Sequence, residues 1–321
     1  MNESRLLEAV ESSFLAPLLQ GESITDISFN GEALFYEDNQ LGRKKAEIGV
    51  NKEEVGDFLR QVANYAEKQF SYSVPQLDVS FGRYRLNACY PNLVRVGDEH
   101  SYSFCLRLLG GAGDFGADRE FLPQKAKEIL LNAIQKRSSI VIGGVTSSGK
   151  TELQKFLIRS LPEAEKAIVI DNAGELERLR GSGNVDITSW SVDERFPMSS
   201  FSSLIKNALR NDPDWVILAE SRGPEALDAL TSAMSGAAIM MTIHCARLES
   251  MPSRFARLCM MGENRLLREE VLEDIKGNLP YWVLLEKGKR EDGSISRKVV
   301  KIGYFASENS DMEIIYQRKA R

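Results

Sequence analysis

The chain has 321 residues, long enough for two domains, and its 43% apolar and 27% charged residues are those of a globular protein. A net charge of −5 argues against indiscriminate nucleic-acid binding, and no run of about 18 apolar residues encodes a membrane span. Cys89, Cys105, Cys245 and Cys259 are scattered with no Cys-x-x-Cys pair, which argues against a zinc module or a disulfide framework and fits a reducing cytosol.

The N-terminal stretch starts an amphipathic pattern in place of a secretory signal's apolar core. Leu6, Leu7, Val10, Phe14, Leu18 and Leu19 fall on one helical face. Glu3, Glu8 and Glu11 make the opposite face acidic, so core packing is expected there and not a membrane-surface helix. Asn30-Gly31 between short apolar runs predicts a hairpin with a type I′ turn. A helical period over 52–69, carried by Val55, Phe58, Leu59, Val62 and Tyr65, precedes strand-like runs at 84–89 and 102–109. These elements predict a small α+β domain over 1–112. The run from Gly110 to Gly116, with glycines at 110, 111, 113 and 116, predicts a flexible hinge into a second domain, 113–321.

Beyond the hinge, strands at 139–142, 167–170, 215–218 and 238–242 alternate with helices at 149–160, 201–210 and 224–234, as a mainly parallel α/β sheet requires. Helical stretches through 252–276 then give way to strands at 281–285 and 298–305, with Asp292-Gly293 supplying the turn.

Gly144-Val145-Thr146-Ser147-Ser148-Gly149-Lys150-Thr151 is a complete GxxxxGK[ST] loop. The apolar strand Ile140-Val141-Ile142 leads into it, and a helical pattern starting at Glu152 follows. In that order, backbone N–H groups converge on phosphates and the helix N-terminus adds partial positive charge. Lys150 is placed to reach the β/γ-phosphates of a nucleoside triphosphate, and the Thr151 hydroxyl to ligate Mg²⁺. Hydrolysis also needs something to orient water. Trp215-Val216-Ile217-Leu218-Ala219-Glu220 is an apolar strand ending in a carboxylate. Such a strand delivers its last side chain to the carboxyl edge of the sheet, beside the phosphate loop, so Glu220 is the expected catalytic carboxylate. Asp171-Asn172-Ala173-Gly174-Glu175 forms a second acidic edge. Its two carboxylates can hold Mg²⁺-bound water, or the segment is only a turn. His244, one of two histidines, ends a third strand, either as a γ-phosphate sensor or as a cap.

Taken together these motifs resemble the secretion traffic ATPases of type II and type IV secretion, type IV pili and conjugation, over nearly the whole chain. The family loop runs Gly-x-Thr-Gly-Ser-Gly-Lys-Thr-Thr, and Gly144 to Glu152 follow it, departing at Ser147 and Glu152. Leu209-Arg210-Asn211-Asp212-Pro213-Asp214 through Glu220-Ser221-Arg222-Gly223 resembles the family's second motif, with Ala219 in place of a glycine. The acidic box resembles Ile170 to Leu176, with Asp171 for a Glu and Asn172 for an Asp. The histidine box resembles Ser235-Gly236-Ala237 and Thr242-Ile243-His244, with Ala237 for a histidine. The short N-terminal domain and Arg222-Gly223 favour the conjugation-type and tight-adherence-pilus branch.

The resemblance implies an α/β fold, a RecA-like P-loop NTPase domain preceded by the small α+β domain, with Arg85 and Arg107 acting as arginine fingers on the transferring phosphoryl group. Arg83 is a further candidate for that role. It implies an ATP- and Mg²⁺-dependent homohexamer, cytoplasmic and peripheral to the membrane, working with inner-membrane secretion or pilus platform proteins. ATP-driven motion about the glycine hinge would power the machine. Two other readings remain at this stage: a nucleic-acid translocase or helicase, against which the acidic balance argues, and a weakly catalytic nucleotide-gated scaffold, suggested by Asp171, Asn172 and Ala237.

Overall fold

Asn2 caps the first helix by accepting a hydrogen bond from the Arg5 amide, and α1 (Glu3–Glu11) turns Leu6, Ala9 and Val10 inward. A short α2 (Ala16–Leu19) leads to β1 (Ile24–Phe29), β2 (Leu34–Asp38) and β3 (Gly42–Lys45). The helix α3 (Lys52–Tyr65) is capped by Asn51, whose side chain accepts from the Glu54 amide. After it come β4 (Gln76–Phe81), β5 (Tyr84–Cys89), the two-residue strands β6 (Arg95–Val96) and β7 (Glu99–His100), and β8 (Ser103–Leu108). The computed structural model describes residues 2–21, 23–108, 118–172, 174, 176, 179, 185–193, 196–262 and 266–319. The expected hinge over 110–116 lies outside the described residues. The chain divides into two compact units, Met1–Gly111 with Lys289–Ile295, and Ala112–Gly288 with Ser296–Arg321.

The first unit is built on a six-stranded antiparallel sheet in the order β3-β2-β1-β8-β5-β4. One face buries Ile27, Phe29, Val79, Leu86 and Leu106 against α1 and α3. Period-two alternation puts Asp26, Asp78, Arg85 and Arg107 on the other face. The β1–β2 hairpin forms, but not with the expected turn. A type I′ turn needs positive φ at Asn30 and Gly31; only Gly31 has it, at +104°. The Asn30 side chain instead accepts hydrogen bonds from the Glu32 and Ala33 amides, which holds the loop from within.

The second unit contains α4 (Gln124–Gln135), β9 (Ile140–Gly144), α5 (Lys150–Arg159), β10 (Lys166–Asp171), β11 (Asp186–Ser191), α6 (Phe201–Ala208), β12 (Trp215–Leu218), α7 (Glu225–Met234) and β13 (Ala238–His244). Then follow α8 (Met251–Cys259), α9 (Arg268–Asn278), β14 (Tyr281–Lys289), β15 (Ile295–Tyr304) and β16 (Glu313–Gln317). The eight-stranded sheet runs β11-β10-β12-β13-β9-β14-β15-β16, parallel from β11 through β14, with β16 antiparallel to β15. Both faces are covered. Val141, Ile168, Val216, Leu218 and Met241 pack towards α6, α7, α8 and α9, while Ile140, Ile142, Val169, Ile217 and Met240 pack towards α4 and α5. Burial on both faces is why these strands read as unbroken apolar runs, and each such side chain contributes about 1.5–3 kcal/mol. No helix among the described residues is long and apolar enough to cross a membrane.

Candidate active site

The fully buried β9 ends at Gly144, whose position admits no side chain: a Cβ there would lie 2.4 Å from Ser148 Oγ and 2.8 Å from the Leu285 carbonyl oxygen. The chain turns through exposed Val145, Thr146 and Ser147, then buried Ser148, to Gly149 at φ +95°, which starts α5. Ser148 Oγ is fully buried and has no hydrogen-bond partner among the described residues. Lys150 is 8% exposed, and its ammonium donates to the carbonyls of Gly144 and Val145, both at 3.1 Å. A buried ammonium at the start of α5, beside the loop carbonyls, is placed to meet phosphate oxygens entering the loop. Thr151 and Glu152 open the helix, where Glu152 pairs with Lys155 at 2.8 Å.

Glu220 stands two residues beyond the end of β12, and the carboxyl ends around it are tied together. The Gln154 amide, on α5, donates to the Leu218 carbonyl at 2.8 Å. Thr242 Oγ1 donates to the Ala219 carbonyl at 2.7 Å, and the Ser221 amide donates to the Thr242 carbonyl at 2.9 Å. In the β13–β9 register His244 pairs with Gly144, which sets the imidazole beside the phosphate loop. Lys150 Nζ lies 3.3 Å from His244 Nδ1. With the ammonium as donor, Nδ1 accepts and the ring proton sits on Nε2.

Nε2 in turn lies 2.8 Å from Glu220 Oε1, yet that oxygen makes no hydrogen bond to any described residue and is shielded from solvent. The two groups stand at ion-pair distance without the alignment that a hydrogen bond needs. Glu220 Oε2 accepts from the Arg222 guanidinium at 2.6 Å. Burial raises the Glu220 pKa, but Arg222, His244 and Lys150 together outweigh it, and the carboxyl ends below its ordinary value. Burial lowers the His244 pKa, Lys150 lowers it further, and the attraction of Glu220 does not reverse the shift, so the imidazole is neutral at pH 7. Arg222 itself is placed by Glu225, a buried acid at the start of α7 whose Oε1 accepts from the amides of Arg222 at 2.6 Å and Gly223 at 2.8 Å.

Lys150, His244, Glu220 and Arg222 thus form one connected chain of contacts at one sheet edge. Asp171 ends β10 on the same edge, but its Oδ2 accepts from the Leu176 amide, five residues on, at 2.8 Å. Asn172 is exposed, and Glu175 lies outside the described residues. Arg85 and Arg107 are cross-strand partners in the first unit, each beside an acid: Arg85 lies 3.6 Å from Asp78 and Arg107 2.9 Å from Asp26. Arg83 instead packs over Tyr84 and donates to the Leu19 carbonyl. Ala237, where the resemblance has a histidine, precedes β13. It lies at the opposite edge from His244, about 23 Å along the strand. Sequence reasoning did not single out Gln154 or Glu225, and it read Thr242 only as part of the histidine box. Gln154 left a trace, a polar residue on the apolar face of its helix.

A family model described as "Type II/IV secretion system protein" matches residues 115–275, half of the chain. The chain belongs to this family. Among relatives of this secretion system protein, an uncharacterized protein of Bacillus anthracis, pXO2-25, is 26% identical over 308 residues, 93% of this chain and 68% of that protein. The type IV secretion system protein PtlH of Bordetella pertussis is 29% identical over 180 residues, 55% of this chain; the match takes in 53% of PtlH, about half its length. The X-ray structure of the Legionella pneumophila ATPase DotB shares the fold, with a TM-score of 0.68 at 22% identity over 95% of this chain and 81% of DotB.

Proposed function

We propose that this secretion-family protein binds ATP and hydrolyses it to drive a membrane-embedded secretion, conjugation or type IV pilus machine. One observation carries the reading: the phosphate loop's Lys150 reaches, through His244, to a half-buried carboxylate whose shielded Oε1 makes no hydrogen bond to a described residue. An acceptor of that kind is suited to take a proton from water or to orient it for in-line attack on a γ-phosphate. A triphosphate entering the loop draws the Lys150 ammonium from the Gly144 and Val145 carbonyls, and His244 reports that movement to Glu220. Family membership favours this motor over a nucleic-acid translocase.

The oxygen donors of Thr151 and Glu220 are hard ligands, and the orphaned Glu220 Oε1 fits a Mg²⁺ coordination shell. Bound there, Mg²⁺ neutralises phosphate charge. Arg85 and Arg107 neutralise the rest from the first unit, in a ring of copies of this chain docked on membrane platform proteins. The two units, 1–112 and 113–321 in this reading, change their relation as the phosphate grip is made and released.

The test is ATP turnover against protein concentration, wild type beside Glu220→Gln, with Mg²⁺ and without DNA. Turnover that rises more than linearly with protein and drops by about 10²-fold or more in the variant is expected. Turnover at background in both proteins, with ATP still bound, would leave only a scaffold.

A further inference from the structure

The phosphate loop has one feature its own residues do not support. Ser147 stands where the resembling family has glycine, and its φ is +58°, in the left-handed region that glycine enters freely and side-chain-bearing residues avoid. Together with Gly149 at +95°, it makes the pair of left-handed residues that turn successive loop amides towards one point, the arrangement by which a backbone nest holds an anion. A serine that relaxes to a right-handed conformation swings those amides away.

The restraint comes from 150 residues further on. Arg297, on β15, donates from Nε to the Ser147 carbonyl at 2.8 Å. Its Cδ lies 3.8 Å from where a Gly149 Cβ would stand, and the ring of fully buried Phe121 lies 2.8 Å from that same point. The outer turn of the loop, Ser147 to Gly149, is thus held between an aromatic ring and a guanidinium belonging to other elements of the same unit.

We propose that Arg297 is a positioning residue for nucleotide binding: it clamps the Ser147 carbonyl and keeps the phosphate loop in the shape that a glycine would take unaided. The inference rests on the nucleotide-binding reading above. Its signature is conditional. Arg297 matters while position 147 is serine and loses its importance when that residue is glycine.

The experiment measures dissociation of a fluorescent ADP analogue, and kcat and KM for ATP, in wild type, Arg297→Met, Arg297→Lys, Ser147→Gly and the Ser147→Gly/Arg297→Met double variant. The Met variant is expected to bind about ten-fold more weakly, as loss of one charged hydrogen bond implies. Its KM rises while kcat stays within about two-fold. The Lys variant, which keeps the charge but lacks the Nε donor, behaves like Met, and the double variant recovers most of the lost affinity. Wild-type affinity in Arg297→Met or Arg297→Lys would overturn the clamp. So would an equal loss in the serine and glycine backgrounds, since the role would then be charge or general folding. Failure of the wild-type protein to bind the analogue at all would instead sink the nucleotide reading, and the clamp with it.

Discussion

Two parallel strands of the second unit, β10 and β12, are neighbours that end in a carboxylate at the same sheet edge, yet the two acids are employed differently. Asp171 is 1% exposed and accepts the Leu176 amide, so it organises the backbone that follows it. Glu220 shares its Oε2 with Arg222, while its Oε1, beside a neutral imidazole, is shielded and accepts no hydrogen bond from a described residue. Strand-end position is common to both. What separates them is whether the local backbone consumes the carboxylate or leaves part of it available, and that is decided by neighbours from β13 and α5 which lie far off in sequence.

This contrast is open to direct attack. The largest expected effect is at Glu220→Ala: turnover falls by about 10³-fold, with no more than about 1 kcal/mol of stability lost in a urea titration, because its Arg222 partner is largely exposed. Unfolding of that variant at ordinary temperature would place Glu220 beside Asp171 as a structural acid. Asp171→Ala is expected to behave in the opposite sense. It leaves the buried Leu176 amide without its acceptor and lowers stability by about 1–3 kcal/mol in a urea titration. Any loss of turnover should track the unfolded fraction.

A smaller effect is expected from acid. The folded-state pKa of His244 is depressed, so its stabilising contribution is complete above the unfolded value and is lost as pH falls through the folded one. Glu220 is depressed as well, but its loss begins only below the carboxylate range. Between about pH 6.5 and 4.5, therefore, wild-type stability should fall relative to His244→Gln. Parallel stability profiles for the two proteins across that window would contradict the Lys150–His244 contact. The smallest effect is reserved for Asn172→Asp, which restores a family acid at an exposed turn position. It should change turnover by no more than about three-fold in the same assay, the range of ordinary surface substitutions.

Much of this was legible in the residue order, and where it was not, the reasons are physical. Strand β12 could be read to the residue because burial on both faces leaves an uninterrupted apolar run, and Glu220 could be found by what stands at its end. Strand β11, Asp186–Ser191, lies at the edge of the sheet with no fully buried residue, so it lacks the apolar run of its neighbours, and the β-formers Ile187, Thr188 and Trp190 are set among polar residues. Strand β4 is different: Leu77, Val79 and Phe81 alternate inward, a period-two signal that was present but outweighed by its polar partners. Helix α4 likewise carries Ala126, Leu130, Ala133 and Ile134 at helical spacing. The Glu225 grip on the Arg222 turn and the Arg297 grip on Ser147 belong to another class. Each is a side chain reaching a backbone group, and backbone groups carry no residue-specific signal.

The hydrogen bond from Gln154 to the Leu218 carbonyl has a mechanical consequence. It joins the helix that begins at the phosphate loop to the strand that ends two residues before Glu220, across a dry interior in which a broken bond finds no water to replace it. Movement of the helix along the strand costs that hydrogen bond. Loop and carboxylate are thus coupled through one short, buried tie, which on the proposed nucleotide reading holds the spacing between a bound phosphate and Glu220.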